Sequence, residues 1–311
     1  MRIIDSSATR RHLAFAPLIA ALRSLFVAGC EVPLRHTHRI ADAGTVLLMP
    51  AWRTGARLGI KTVTIFPGNS ALGKPGLHST YLLFDATTGE PLAQIDGNEI
   101  TSRRTAAASA LAASYLSRAD ASRLLIVGAG RVAGLLAEAM TTVRPVEQVR
   151  VWSRNPASAE ALAASLRSDG FPAQATTDLA AAVCQAHIVS CATLSTTALI
   201  HGEWLQPGAH LDLIGSFTPQ MREADAACFA RARVFMDTTE ALAKSGDVLG
   251  AIAEAAFDPG SLQGTLADLC HGRCARQGAA EITLFKSVGT ALEDLAAAEL
   301  VFDSITAPRS G

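Results

Sequence analysis

A glycine-rich loop lies where the chain could bind the phosphates of a nucleotide. The apolar run Leu124–Val127 leads directly into residues 128–134, which read Gly-Ala-Gly-Arg-Val-Ala-Gly, and a Leu- and Ala-rich stretch follows. Gly128 permits a tight turn, Gly130 lets the backbone approach a pyrophosphate, and the small Ala133 lets helix and strand pack closely. The amides and the dipole at the helix start attract the anion. A glycine turn without a ligand is the alternative, but the flanking strand and helix favour a dinucleotide site.

The end of the next apolar strand indicates which dinucleotide is bound. After Val149–Trp152 the chain reads Ser153, Arg154 and Asn155, and it lacks the acidic residue that would bind the ribose hydroxyls of NAD. An arginine with two small polar neighbours offers charge and several donors to a 2′-phosphate, which a carboxylate would repel. We therefore expect NADPH as the cofactor, with NADH as a weaker one. The alternative is that Arg154 is only a solvated surface residue.

Three basic residues in the first third of the chain have unusual settings. Arg35 follows Pro33 and Leu34 shortly before the first predicted strand, Lys61 lies in the apolar β-run Gly59–Val63, and Arg104 lies on an Ala-rich helix. Burying a lysine in such a strand is costly unless an anion is nearby. Each of the three could by itself be surface charge. Together they could bind a carboxylate.

The composition indicates a globular protein of about two domains. The chain has 311 residues, of which 49% are apolar, 18% charged and 5% aromatic, and a domain takes roughly 150 residues. Disorder requires the opposite balance of low hydrophobicity and high net charge. With a formal net charge of −1, the chain lacks the excess of positive charge that binds a nucleic-acid backbone. A small-molecule partner is therefore expected, with no nucleic acid and no membrane.

The amino-terminal region and the cysteines bear on the compartment. Arg10 and Arg11 precede an apolar run, as in a signal peptide, but Arg23 interrupts that run, and the spacing of its apolar residues favours an amphipathic helix. The apolar positions of this helix are Leu18, Leu22, Leu25 and Phe26. No apolar stretch reaches the roughly 18 residues that a membrane span requires. The six scattered cysteines fit a reducing compartment, so we expect a soluble, cytoplasmic protein.

Two of the cysteines could form half of a metal site. Cys270 and Cys274 flank a histidine at short spacing. No second ligand pair at suitable spacing occurs elsewhere in the sequence. We therefore expect no metal.

Two patterns of secondary structure divide the chain. Residues 45–96 read as β-structure that ends in a hairpin, and Glu99–Leu116 is a strong helix. From Arg123 onward short apolar strands alternate with helices, which indicates a parallel sheet covered by helices. The first predicted strands are Thr45–Met49, Leu58–Phe66, Ser79–Phe84 and Pro91–Asp96. The later ones are Leu124–Val127, Val149–Trp152, Ile188–Cys191, His210–Ile214, Val234–Met236 and Glu281–Phe285, followed by a helix over Thr290–Ile305.

Four blocks of sequence, together with the glycine loop, resemble the ornithine cyclodeaminase/mu-crystallin family. They are Asp96–Ala107, His201–His210, Lys244–Val248 and Phe285–Gly289, and they follow the family's order over almost the whole chain. The resemblance implies a homodimer with an α/β fold, in which a Rossmann-type doubly wound parallel sheet is inserted in a second α+β domain. The expected domains are 1–118 with 289–311, for substrate binding and dimerisation, and 119–288, for the dinucleotide.

The resemblance also implies roles for individual residues. The substrate positions are Arg35, Lys61 and Arg104 for the carboxylate, Thr80 as a hydroxyl beside the substrate, and Ser287 beside substrate and nicotinamide. The cofactor positions are Gly128, Ala129, Gly130, Arg131, Val132, Ser153, Arg154, Asn155, Thr193, Leu194 and Ile214. An α-carboxylate in a closed pocket needs several fixed donors, and arginine can supply two at once.

Two positions distinguish among the reactions that this resemblance allows. The family's cyclodeaminases carry acids where this chain has Leu47 and Phe217. Cyclodeamination requires carboxylates to hold the distal ammonium and to manage the amine proton. We therefore expect a ketimine reductase that uses NADPH to convert 1-pyrroline-2-carboxylate to L-proline and 1-piperideine-2-carboxylate to L-pipecolate. The alternatives are an alanine dehydrogenase, an ornithine cyclodeaminase, or an NADPH-dependent ligand-binding protein of the mu-crystallin type.

The expected reaction assigns a task to each cation. Arg35 and Arg104 anchor the substrate carboxylate. Lys61 assists the anchoring and passes a proton to the imine nitrogen, or orders a water that does so. Replacing Lys61 or Arg104 by alanine is expected to abolish most turnover and to leave folding intact.

Overall fold

The computed structural model describes residues 1–307 of the chain. It consists of two compact units. The first unit contains residues 1–104 and 290–307, and the second contains residues 105–289. The dinucleotide loop therefore belongs to the second unit and the three cations to the first.

The boundary between the units falls within a helix. The sequence places it at residues 118/119, where that helix ends, whereas the structure divides the chain after Arg104. The second half of the helix bonds to the second unit: Ser109 donates to Asp212 over 3.0 Å, and the Leu116 carbonyl accepts from Thr283 over 2.8 Å. A single sequence shows where a helix ends but not which core each of its turns packs against.

Helices and strands of both units are numbered along the chain. The strands are β1 Arg2–Ile4, β2 His36–Ile40, β3 Gly44–Trp52, β4 Arg57–Ile65, β5 Leu77–Asp85, β6 Pro91–Asp96, β7 Arg123–Val127, β8 Gln148–Trp152, β9 Ala173–Ala175, β10 Ile188–Cys191, β11 His210–Leu213, β12 Arg233–Met236, β13 Gly264–Thr265 and β14 Thr283–Lys286. The α-helices are α1 Ser6–Arg11, α2 Phe15–Ala28, α3 Gly97–Leu116, α4 Ala133–Thr141, α5 Pro156–Ser168, α6 Leu179–Gln185, α7 Ala226–Arg231, α8 Ala241–Lys244, α9 Gly246–Ala253, α10 Leu266–Cys270 and α11 Ala291–Thr306. Short 3₁₀ helices cover Pro67–Leu72, Gly202–Trp204 and Pro259–Ser261.

The first unit is built on a six-stranded sheet of order β1-β6-β5-β4-β3-β2. Strand β1 pairs with β6 in parallel, and the other neighbours are antiparallel. The predicted β5–β6 hairpin is confirmed, and the carboxylate of Asp85 accepts from the amides of Thr87 and Thr88 in its turn. The sequence analysis missed β1 and β2. Every residue of β2 is exposed, so that strand has no alternation of apolar and polar positions to reveal it.

One face of this sheet is covered by helices. Met49, Lys61 and Tyr81 are buried there, and α11 packs on β3 and β4. The amphipathic helix predicted near the amino terminus is α2, and its four predicted apolar positions are all buried. It packs against α11. The alternate residues of the same strands, such as Ile60 and Leu82, remain partly exposed on the other face.

The second unit is a fully parallel eight-stranded sheet of order β13-β12-β14-β11-β10-β7-β8-β9. The chain runs outward from β7 through β8 to β9 and then returns to β10 on the other side of β7. The strand order therefore reverses beside β7, and in open α/β sheets ligands bind at the carboxyl ends of the strands at such a point. The expected doubly wound α/β fold is confirmed.

The described residues contain neither a membrane-spanning helix nor a cluster of metal ligands. Across residues 1–307, no helix combines the length and the apolar character needed to cross a bilayer. In the same range, no group of three or more His, Cys, Asp or Glu side chains is arranged to hold a metal ion. All six cysteines are free thiols.

Candidate active site

The glycine loop between β7 and α4 has the conformation that its sequence predicts. Gly128 has a φ of 118°, and a Cβ at this position would lie 2.5 Å from the carbonyl oxygen of Ala192. Only glycine fits there without strain. Ala133, the first residue of α4, is fully buried, so a larger residue would push the helix away from the sheet.

The same loop has room for a phosphate group. A Cβ on Gly130 would meet no atom within 4 Å. Val132, which precedes α4, makes no side-chain hydrogen bond to the helix. The first amides of α4 are thus not capped by that side chain, and the dipole favours an anion at this end. The loop fits the pyrophosphate of a nicotinamide dinucleotide.

The three residues after β8 differ in their surroundings. Asn155 accepts a hydrogen bond of 3.0 Å from the amide of Ala157 and thereby caps α5. The side-chain oxygen of Asn155, which the sequence assigns to the cofactor, is thus already used to cap a helix. Arg154 is exposed, and no carboxylate within residues 1–307 forms an ion pair with it. Arg154 therefore has its charge available for a phosphate.

The residues assigned to the nicotinamide side lie at the carboxyl ends of β10, β11 and β14. The side chain of Leu194 is 73% exposed, whereas Ile214 and Ser287 are buried. Both the amide and the hydroxyl of Thr193 donate to Glu223, over 2.7 and 2.8 Å. The other oxygen of Glu223 accepts from the amide of Gly215 over 2.6 Å. Glu223 thus joins the loops that follow β10 and β11.

The sequence analysis missed the acidic residues that organise these loops. Asp247 accepts from the amides of Glu223 and Ala224, and Asp237 accepts from the amides of Val288 and Gly289. Each carboxylate is buried but binds backbone N–H groups, so its burial is partly compensated. Asp247 lies in one of the blocks that carry the family resemblance, which was the available signal. Glu223 and Asp237 had no such signal.

A buried lysine supplies positive charge to this acidic cluster. Lys286 is fully buried, donates to the carbonyl of Leu213 over 2.9 Å, and lies 3.7 Å from Asp247. Burial raises the pKa of Glu223 to about 7, and the Lys286 charge opposes that rise. Burial likewise raises the pKa of Asp212 to about 6, against hydrogen bonds from Ser190 and Ser109. Lys286 therefore favours the ionised form of the carboxylates beside it.

In the first unit, two of the three predicted cations belong to one buried ion cluster. Lys61 lies 2.6 Å from Asp294, and Arg104 contacts Glu293 at 2.6 Å and Asp294 at 2.9 Å. The side chains of Lys61 and Arg104 are 2% and 8% exposed, and both carboxylates are fully buried. The sequence analysis missed these two acids, although they lie shortly after the Phe285–Gly289 block, in the first turn of the last helix.

Burial and charge act in opposite directions on this cluster. Burial lowers the pKa of Lys61 to about 8, against the attraction of Asp294. Burial would raise the pKa of Asp294, but Lys61 and Arg104 hold it below its ordinary value. Burial also disfavours the charged form of Arg104, yet the two carboxylates raise its pKa. The sequence-based expectation that Arg104 can be removed without affecting folding is therefore corrected, because its loss deprives two buried acids of the cation that contacts both of them.

The strand register places the remaining substrate positions. Lys61 is paired with Tyr81, so Thr80 points to the opposite, exposed face, where it is paired with Thr62. The structure thus does not bring Thr80 to the ion cluster. Arg35 is half-buried, and its charge lowers the pKa of Lys61, so the two cations are close enough to interact.

The two positions that replace acids lie in different units. Leu47 is paired with Val63 and shares the sheet face of Lys61. It therefore gives that face an apolar residue where a carboxylate would otherwise stand. Phe217 belongs to the second unit, where its side chain is 42% exposed.

Comparison with known proteins shows matches over almost the full length of the chain. Residues 7–308 match the model of the ornithine cyclodeaminase/mu-crystallin family. A Delta(1)-pyrroline-2-carboxylate reductase of Colwellia psychrerythraea is 38% identical over 316 residues, which cover 98% of this chain and 99% of that protein.

Two solved structures are similar over the same length. The Thermococcus litoralis Delta(1)-pyrroline-2-carboxylate reductase in complex with NADH and L-proline has a TM-score of 0.92 at 30% identity, with 97% of each chain covered. A dimeric archaeal alanine dehydrogenase with bound NAD has a TM-score of 0.91 at 25% identity, and the match covers 97% of this chain and 95% of that one. Both units of the chain therefore have counterparts in nicotinamide-binding enzymes.

Proposed function

The chain belongs to the ornithine cyclodeaminase/mu-crystallin family, and from that premise we propose that it reduces cyclic ketimines. The family assignment made from the sequence is confirmed. The chain is an oxidoreductase that uses a nicotinamide cofactor on a C=N bond. Its substrates are 1-pyrroline-2-carboxylate, which yields L-proline, and 1-piperideine-2-carboxylate, which yields L-pipecolate. The names of its relative from Colwellia and of its structural neighbour from Thermococcus support this reaction.

The observation that carries the proposal is that Lys61, whose partner acid also binds Arg104 of α3, shares its sheet face with an apolar residue. Lys61 and Arg104 supply positive charge, and Leu47 lies on the same face where a cyclodeaminase would have an acid. A substrate with one carboxylate and an apolar ring matches such a surface. Ornithine does not, because its distal ammonium would be buried without an anion.

The side chains of the first unit have defined tasks in this proposal. Arg104 uses Nε and Nη1 for its two acids, and within residues 1–307 its Nη2 has no hydrogen-bond partner. Nη2 is therefore the donor for the substrate carboxylate. Lys61, whose pKa of about 8 leaves most of it protonated at neutral pH, supplies the proton to the imine nitrogen. A nicotinamide cofactor held at the glycine loop between β7 and α4 would supply the hydride for this reduction.

Turnover with three sets of substrates tests this proposal. We expect the protein to oxidise NADPH when 1-pyrroline-2-carboxylate or 1-piperideine-2-carboxylate is added. Pyruvate with ammonia should give much slower oxidation, and ornithine with NAD should release no ammonia. Rapid turnover of pyruvate with ammonia would favour an alanine dehydrogenase, the second candidate, which the likeness to the archaeal enzyme supports. Steady ammonia release from ornithine would overturn the ketimine assignment.

The preference for NADPH is proposed from this chain's own residues. Its Thermococcus neighbour binds NADH, but here no acid follows β8, and the exposed Arg154 has a charge available for the 2′-phosphate.

Replacing Arg154 by alanine tests this preference. We expect the Michaelis constant for NADPH to rise by roughly tenfold or more, since a charge-assisted hydrogen bond contributes about 1.5–3 kcal/mol. The constant for NADH should hardly change, because NADH lacks the phosphate. Initial rates with both cofactors provide the measurement, for the variant and for Arg150→Ala, a control on β8, the strand that precedes Arg154. An equal change for both cofactors would contradict the assignment.

A cytoplasmic homodimer completes the proposal. The outer face of the first unit's sheet carries partly exposed apolar residues such as Leu48, Ile60 and Leu82, which a second copy of the chain would cover. The family resemblance places dimerisation in this part of the chain. Six free thiols support a reducing compartment.

A further inference from the structure

We propose that Asp294 is a positioning residue for ketimine reduction, which holds Lys61 and Arg104 so that both present N–H groups to one substrate carboxylate. Glu293 assists through Arg104. This inference rests on the proposed function and assigns tasks to two acids outside the set of substrate and cofactor positions. Neither acid needs to touch the substrate, because each acts through the cation that it binds.

Asp294 forms a bridge between Lys61 and Arg104, because each of its two carboxylate oxygens contacts one of these cations. Its Oδ2 lies 2.6 Å from Nζ of Lys61, and its Oδ1 accepts from Nε of Arg104 over 2.9 Å. Glu293 reaches Arg104 at Nη1 over 2.6 Å. The two acids differ in one respect that an experiment can use, since Asp294 contacts both the lysine and the arginine, whereas the contact described for Glu293 is with the arginine.

The location of the two acids makes their geometry rigid. Both lie in the first turn of α11, and both are fully buried. Acidic residues are stabilised at this end of a helix by its dipole. Lys61 lies in the middle of the central strand β4, and Arg104 lies on α3, so each partner is held by regular secondary structure. Sites built on such elements are held more precisely than sites on loops.

The bridge leaves donors available on both cations. Arg104 retains Nη2, and the ammonium of Lys61 carries three N–H groups, of which Asp294 takes one. The positive charge of Arg104 lowers the pKa of Lys61, which shows that the two cations repel each other. Without the bridge this repulsion would move their side chains apart. Fixing donors in the geometry of the bound carboxylate reduces the cost of organising them when substrate binds.

The charge of Asp294 also keeps the lysine protonated. The groups that face Lys61 are Asp294 from α11, Arg104 from α3, Arg35 before β2 and Tyr81 opposite on β5, and Glu293 from α11 contacts Arg104. Burial and the two arginines lower the pKa of Lys61, and Asp294 is the group that raises it. Removing that negative charge should therefore let Lys61 lose its proton at a lower pH.

The test compares Asp294→Asn with Glu293→Gln, two near-isosteric changes that each remove one charge. For D294N we expect kcat/KM with 1-pyrroline-2-carboxylate to fall by about 100-fold, the typical effect of misplacing a reacting partner. The alkaline limb of its pH profile should move to lower pH by about 1–3 units, the usual effect of one nearby opposite charge. E293Q should lower kcat/KM less and leave the alkaline limb in place. The dissociation constant for NADPH should stay unchanged in both.

Several outcomes would overturn the proposal. If D294N retains wild-type kcat/KM, Asp294 does not position the cations. If D294N and E293Q lose activity equally with an unmoved alkaline limb, both acids are merely structural. If D294N does not fold, Asp294→Glu decides: we expect a reduced kcat/KM with an unmoved limb, and wild-type kcat/KM would overturn the proposal. If the wild-type protein reduces no ketimine, the proposed function fails by itself, and the same variants then test the bridge with pyruvate and ammonia.

Discussion

Replacing Arg104 by alanine should lower the free energy of unfolding by about 3–5 kcal/mol, because it removes the cation that contacts both Glu293 and Asp294, two fully buried carboxylates. The same change removes Nη2, so kcat/KM with the ketimine should fall by a factor that corresponds to about 2–5 kcal/mol. Urea unfolding of the purified protein measures the first effect. Initial rates at a temperature where the variant is folded measure the second.

The matched control for this prediction is another arginine with the same contact distance. Arg10 lies 2.6 Å from Glu99, but the arginine side chain is 65% exposed. Exposed ion pairs contribute no more than about 1 kcal/mol, so Arg10→Ala should hardly change stability or turnover. If Arg104→Ala proves as stable as Arg10→Ala, water reaches the carboxylates of the ion cluster more easily than their burial indicates. If it loses stability but keeps turnover, Arg104 does not bind the substrate.

The second large effect concerns the glycine loop, where one alanine substitution should lower thermal stability and another should weaken cofactor binding. Gly128→Ala places a Cβ 2.5 Å from the Ala192 carbonyl at a φ of 118°, and such strain costs about 1–3 kcal/mol or more. Its melting temperature without cofactor should therefore fall. Gly130→Ala meets no atom within 4 Å, so its melting temperature should equal that of the wild type.

Cofactor binding completes this comparison. In Gly130→Ala the new methyl group occupies space that the pyrophosphate needs, and overpacking of this size costs about 1–3 kcal/mol, or roughly 5- to 150-fold in Kd. Fluorescence titration with NADPH measures the dissociation constant. Wild-type affinity in Gly130→Ala would show that the cofactor does not approach the backbone at this loop. An unchanged melting temperature in Gly128→Ala would show that the loop can relax.

Local patterns identified much of the fold because they depend on contacts near in sequence. The apolar strand, glycine turn and helix at residues 124–140 follow one another along the chain, so the sequence contains the whole motif. The β5–β6 hairpin and the helix α2 were visible for the same reason, through alternation and helical spacing. Family resemblance then connected these motifs to a reaction class.

The sequence by itself determined the dinucleotide loop, the alternation of strands and helices and the apolar residue at Leu47, since each is a property of adjacent or regularly spaced residues. The tertiary structure alone decided which charges meet. Asp294 is 190 residues from Arg104 and still contacts it, because the last helix packs on the first unit's sheet. It also decided that Thr80 faces away from Lys61, since a one-residue difference in strand register selects the face. Pairing of charges that are distant in sequence depends on three-dimensional packing, so it cannot be predicted from residue spacing or composition.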